Sequence, residues 1–151
     1  MTVKPASLLL VEDDVNDEFL TCRVLRNDAG LKDITVVRDG TEALDYLFAR
    51  GEYAHRDVED LPTVVLLDLN LPRLGGLDVL KTIRSEERTH LLPVVIMTSS
   101  QEDRDIRRGY ELGANSYVVK PVRMEEFSTK VKQLGLFWLL TNEPTARSDE
   151  T

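Results

Sequence analysis

Five short apolar runs, separated by stretches of helical spacing or polar loop, leave this chain few folds to choose from. The middle run, Val64-Val65-Leu66-Leu67, is the most telling. Four consecutive apolar residues, two of them β-branched, read as a strand buried on both faces, as inside a parallel sheet. Asp68 follows at once, and Asn70 and Pro72 break the strand. A carboxylate at the C-terminal end of a core strand stands where open α/β sheets bind their ligands. Alone, Asp68 needs no more explanation than an Asp that closes a strand and bonds the next turn. Three other strand ends change that reading.

Ser7-Leu8-Leu9-Leu10-Val11 is a second buried strand, and it runs straight into Glu12-Asp13-Asp14. Three adjacent acidic side chains repel one another and need a compensating charge. Asp14 suits a helix start, where an acidic group is favoured, but that does not explain Glu12 and Asp13 directly at the strand end. A helix is expected over residues 16–27, with Leu20 and Val24 on its apolar side, Phe19 and Cys22 nearby, and Cys22 as a small core residue. Ile34-Thr35-Val36-Val37 is a short strand, and Asp39-Gly40-Thr41-Glu42 reads as a capping box for a helix carrying Ala43, Leu44, Leu47 and Phe48. Residues 50–62 are polar and aperiodic, a loop long for a compact domain and of the kind that is often functional or mobile. His55 within it has no metal-binding companions at useful spacing.

After Asp68, Gly75-Gly76 opens a helix carrying Leu77, Leu80 and Ile83. Leu92-Pro93-Val94-Val95-Ile96-Met97 is the fourth strand and ends in Thr98-Ser99-Ser100, whose serines are candidate caps for a helix over residues 102–112. That helix is expected to turn Ile106 and Tyr110 inward and Arg104, Arg107 and Arg108 outward. Ser116-Tyr117-Val118-Val119 is the fifth strand, finishing in Lys120-Pro121, and a last helix runs from Met124 to about Leu140. Strands alternating with helices five times predict a parallel sheet covered on both faces. The 151 residues fit one domain over residues 1–140 with a flexible polar tail over 141–151. The net charge of -8 argues against nucleic acid or an anionic membrane as the main partner. A lone cysteine, no signal-peptide pattern and no apolar run near ~18 residues point to a cytoplasmic protein.

Polar groups therefore follow four strands: Glu12 and Asp13, Asp68, Thr98, and Lys120. In a parallel sheet these ends share one edge, so they converge. Clustered carboxylates make an oxygen-rich site for a hard cation, and Mg²⁺ binds through one or two carboxylates with waters and phosphate oxygens. A lysine and a hydroxyl opposite suit a phosphoryl group, and Asp68 as nucleophile would yield an aspartyl-phosphate.

These motifs, Val11-Glu12-Asp13-Asp14, Asp68-Leu69-Asn70-Leu71-Pro72-Arg73-Leu74-Gly75-Gly76, Met97-Thr98-Ser99 and Tyr117-Val118-Val119-Lys120-Pro121, resemble those of a response-regulator receiver domain over residues 7–140. The resemblance implies a flavodoxin-like sheet of order 2-1-3-4-5. It implies a two-component signalling protein, not an enzyme acting on other substrates, whose Asp68 accepts phosphate from a sensor histidine kinase. It implies Mg²⁺ on Asp13, Asp68 and the Asn70 carbonyl, with Glu12 acting through water, and Lys120 paired with the phosphate. It makes Thr98 and Tyr117 the switch pair that reports phosphorylation to the surface of helix four, strand five and helix five. Gly75 stands where many receivers have Asp, and Glu12 replaces an Asp. Only 31 residues follow Lys120, so a stand-alone receiver is expected. The 50–62 loop and Leu136-Phe137-Trp138-Leu139-Leu140 resemble the response regulators partnered with bacterial phytochromes.

Two rivals remain. An Asp-nucleophile phosphatase of haloacid-dehalogenase type wants a second Asp where this chain has Asn70. A degenerate receiver used only for binding would not need Asp13, Asp68, Thr98 and Lys120 together. No Gly-rich phosphate loop follows strand one. Finally, Phe127, Val131, Leu134 and Trp138 make a stripe that packs the last helix on its sheet. Leu136, Phe137, Leu139 and Leu140 fall outside it, and a homodimer through these residues is expected.

Overall fold

The computed structural model describes residues 5–143. Five strands pair in parallel: β1 (Ser7–Val11), β2 (Asp33–Val37), β3 (Val64–Leu67), β4 (Val94–Thr98) and β5 (Ser116–Val119). Their order across the sheet is β2-β1-β3-β4-β5, as the resemblance implies. The helices are α1 (Val15–Asp28), α2 (Gly40–Leu47), α3 (Gly76–Ser85), α4 (Asp103–Glu111) and α5 (Met124–Leu136).

The continuous apolar runs are explained by what lies on each face. Successive strand side chains point to opposite sides, so Leu9, Val11, Val65, Leu67, Val94 and Ile96 enter one core with residues of α2 and α3. Leu8, Leu10, Val64, Leu66, Val95 and Met97 enter the other, with Cys22, Val24 and Leu25 of α1 and Phe127 and Val131 of α5. Both faces are dry, so no alternation in polarity is required.

The caps match the sequence in part. Asp14 accepts a hydrogen bond from the Asp17 N–H at 2.9 Å and starts α1. Asp39 caps α2 through the Glu42 N–H at 2.7 Å, while Glu42 reaches back to the Arg38 N–H rather than to that of Asp39. Neither Ser99 nor Ser100 caps α4. Gln101 and Glu102 intervene, the helix begins at Asp103, and Ser100 Oγ lies 2.5 Å from Asp105 Oδ2.

Two expectations are corrected by burial. Phe19 is exposed, because α1 turns Thr21, Cys22, Val24 and Leu25 to the core. Tyr110 is exposed as well, and Gly109 is the buried residue of α4. Residues 50–62 are the expected loop, and a 3-10 turn at Gly51–Tyr53 packs it onto α2. There Tyr53 meets Tyr46 edge-to-face at 5.2 Å, and the Arg56 guanidinium lies 3.7 Å from the Tyr46 ring centroid.

The last helix changes character near its end. After Leu136 it passes into a π turn, Phe137–Thr141. Leu134, Trp138 and Leu139 are half-buried against the α1–α5 core. Leu139, expected on an outer face, thus belongs partly to the protein's own packing. Phe137 and Leu140 are exposed and Leu136 is half-buried. Of the expected 141–151 tail, residues 144–151 lie outside the described residues. No helix among the described residues is long and apolar enough to cross a membrane.

Candidate functional site

The backbone ladder carries on past the strands and fixes the polar residues that follow them. The Glu12 N–H donates to Val37 O at 3.0 Å, the Asp68 N–H to Val11 O at 3.1 Å, and the Lys120 N–H to Thr98 O at 2.7 Å. Each of these residues is thereby held in register with the neighbouring strand before its side chain is considered. Gly76 brings the start of α3 up behind Asp68, and a Cβ there would lie 2.3 Å from the Asp68 carbonyl oxygen.

One ammonium gathers the side chains. Lys120 Nζ donates to Glu12 Oε1 at 2.6 Å, to Asp68 Oδ2 at 2.8 Å and to Asp17 Oδ2 at 2.8 Å. The Lys120, Glu12 and Asp68 side chains are 8%, 4% and 8% exposed. The second oxygens are also used: Glu12 Oε2 accepts from the Asp14 N–H at 3.2 Å, and Asp68 Oδ1 from the Asn70 N–H at 3.1 Å. Asp68 therefore fulfils the ordinary turn-closing role as well.

The charges respond to this crowding. Burial pushes the Glu12 carboxyl up to about 7; the Lys120 ammonium opposes that shift and the Asp68 charge adds to it. Burial alone would lower Lys120, but its hydrogen bonds to Asp17, Asp68 and Glu12 outweigh it and raise its pKa above the ordinary lysine value. Lysine remains charged, as the counter-ion that three adjoining carboxylates require.

Thr98, at the end of the neighbouring strand β4, is fully buried, and its hydroxyl has no hydrogen-bond partner. A buried hydroxyl without a partner costs about 1–3 kcal/mol and calls for a functional account. Tyr117 on β5 donates through its phenol to Ser100 O at 3.0 Å. Its ring lies against α4 at Gly109, where a Cβ would come 3.1 Å from the ring edge.

The sequence of the response regulator receiver domain family matches residues 8–132. The chain is a receiver. It is 34% identical over 137 residues to Response regulator Rcp1 of Synechocystis, with 91% of each chain covered. The Mn²⁺-bound form of Rcp1 superposes with a TM-score of 0.87, covering 94% of this chain and 100% of that one. The phosphorylated cyanobacterial phytochrome response regulator RcpA is 35% identical with a TM-score of 0.88, covering 95% and 100% of the two chains. The bacteriophytochrome response regulator RtBRR is 46% identical with a TM-score of 0.74, covering 94% and 85%.

Of the residues singled out in the sequence, this receiver brings Glu12, Asp68 and Lys120 into direct contact. It places Thr98 beside them at the end of the next strand and Tyr117 on the strand beyond. Asp13 and Asn70 are exposed, and Asn70 meets Asp68 through its main-chain N–H. Receivers use a divalent metal. The donor chemistry fits one: two buried carboxylates converge on a single point, with Asp13 next in sequence, and Mg²⁺ asks for one or two carboxylates and keeps waters for the rest. Among the described residues no group of three His, Cys, Asp or Glu side chains is arranged to hold a metal ion; Glu12, Asp68 and Asp17 are gathered on the Lys120 ammonium instead.

Asp17 was not foreseen. Its position in the first turn of α1 had a sufficient explanation in the helix dipole. The signal available was its register: it is three residues after the Asp14 cap, on the turn that rises directly from the end of β1.

Proposed function

We propose that this receiver is a cytoplasmic protein that takes a phosphoryl group onto Asp68 from the phosphohistidine of a sensor histidine kinase. An Asp68 carboxylate oxygen forms the new bond to phosphorus as the bond to the histidine nitrogen breaks, and hydrolysis later returns the carboxylate and inorganic phosphate. Mg²⁺ on Asp13, Asp68 and the Asn70 carbonyl, with Glu12 nearby, would neutralise charge while an anionic donor approaches. Lys120 then pairs with a phosphoryl oxygen, and the buried Thr98 hydroxyl turns to another.

The observation that carries this reading is the unpaired Thr98 hydroxyl beside the buried Asp68–Lys120 pair. A site complete in itself would not leave that donor idle. Tyr117, packed on α4, is the second half of the switch. A kinase of phytochrome type is the partner favoured by the likeness to RcpA and RtBRR. Phe137 and Leu140, exposed at the end of α5, are the core of a homodimer contact, together with Leu136 and the uncovered part of Leu139. The test is incubation with a small phosphodonor and Mg²⁺, read by intact mass. The parent gains one phosphoryl group, and chelation of the metal suppresses the gain. An equal yield from Asp68→Asn would overturn the assignment.

A further inference from the structure

An ammonium has three N–H donors, and in Lys120 all three are committed, to Glu12, Asp68 and Asp17. A phosphoryl oxygen on Asp68 gains a bond from this lysine only if one of the three is released. The acceptors are not equivalent. Glu12 and Asp68 are buried, and each has its second oxygen tied to a backbone N–H. While the phosphoryl group is still arriving and Asp68 is still a carboxylate, either of the two, left by the lysine, would be a buried charge short of a partner, a costly state. Asp17 is 31% exposed, so water can take over its carboxylate. The positive end of α1 also favours a charge in the first turn, with or without the lysine.

We infer that Asp17 is a positioning residue of the phosphoacceptor site: it holds Lys120 in the unmodified protein and is the partner the lysine gives up as the phosphoryl group arrives on Asp68. The inference rests on Asp68 being the acceptor. It makes Asp17 a brake that acts through Lys120. The lysine's charge is shared with a carboxylate that contributes nothing to phosphoryl transfer, and weakening that bond frees the ammonium for the incoming group.

The test is the second-order rate of phosphorylation by acetyl phosphate with Mg²⁺. It is measured over a range of ionic strength, so that the long-range repulsion between the Asp17 charge and the anionic donor is seen as the salt-dependent part of the rate. Four proteins are compared: the parent, Asp17→Asn, Lys120→Met and the double variant. Asn keeps an oxygen acceptor and removes the charge, so Asp17→Asn should react roughly 3- to 10-fold faster than the parent, the worth of one partly solvated ion pair. In the Lys120→Met background the same substitution should give a clearly smaller gain than in the parent, because no ammonium is left to free and only the direct effect of the lost charge remains. A purely structural role for Asp17 in α1 would lower thermal stability in both backgrounds and produce no such difference. Asp17→Ser, which also suits a first helical turn, replaces Asp17→Asn if that variant does not fold. An equal gain in both backgrounds, an unchanged rate or a slower one overturns the inference. Absence of phosphorylation in the parent would instead count against the Asp68 reading itself.

Discussion

Thr98 carries a hydroxyl that the unmodified protein buries and does not use. Valine has nearly the same shape without that group. Thr98→Val should therefore raise the stability of the unphosphorylated protein by about 1 kcal/mol, seen as a higher denaturant midpoint, while weakening the conformational response to phosphorylation. A loss of stability would mean that the hydroxyl is already satisfied. Glu12 gives a second prediction at this scale. Its carboxyl ordinarily titrates near 4.5, and burial moves it to about 7. Between those values the folded state binds more protons than the unfolded one, so metal-free stability falls as pH rises from about 4.5 to about 7. Glu12→Gln should flatten that slope in chelator-containing buffer, whereas a slope of opposite sign in the parent would contradict the burial argument. The sequence located Glu12, Asp68, Thr98 and Lys120 because strand ends of a parallel sheet share an edge. It did not reveal that Asp17 completes the lysine's shell, since that depends on how the first turn of α1 leans over β1.

At the scale of elements, close backbone approach decides how well the site is built. A methyl at Gly76 would meet the Asp68 carbonyl at 2.3 Å, and neither partner is a flexible side chain. Gly76→Ala should cost about 1–3 kcal/mol of stability and slow phosphorylation by displacing the acceptor. Full activity in that variant would show that α3 does not position Asp68. The end of α5 carries the other prediction. Phe137 and Leu140 are exposed while Trp138 and Leu139 pack inward, so the outer face of the π turn holds the apolar surface left for a partner. Burying Phe137 is worth roughly 1.5–3 kcal/mol, and Phe137→Asp should shift a dimer to monomer in sedimentation with the fold intact. A parent monomeric at high concentration, phosphorylated or not, would remove the dimer. The α5 stripe was legible from its spacing. The π turn was not, because it rotates Leu139 back toward the core by local backbone geometry that side-chain periodicity does not encode.

At the scale of the molecule, the five apolar runs and the polar residues that follow them determined strand number and parallel pairing, and the motif resemblance supplied their order. The packing of residues 50–62 was hidden, because Tyr46, Tyr53 and Arg56 act there as a small aromatic and cationic cluster rather than a periodic element. The weakly apolar α4 was misjudged for a related reason: it rests on Gly109 and half-buried Ile106 instead of a broad apolar stripe. These departures leave the sheet edge intact, where Lys120 holds Glu12 and Asp68 together with Thr98 beside them. The central claim is that this edge makes Asp68 the phosphate acceptor. The most direct measurement is chemical mapping of the phosphorylated protein: an acyl phosphate is reduced by borohydride to homoserine, and the modified peptide is sequenced by mass spectrometry. The account predicts homoserine at position 68, formed only when Mg²⁺ and a phosphodonor are both present. Homoserine at Asp13 or Asp17, or a phosphoryl group that resists reduction, would contradict it.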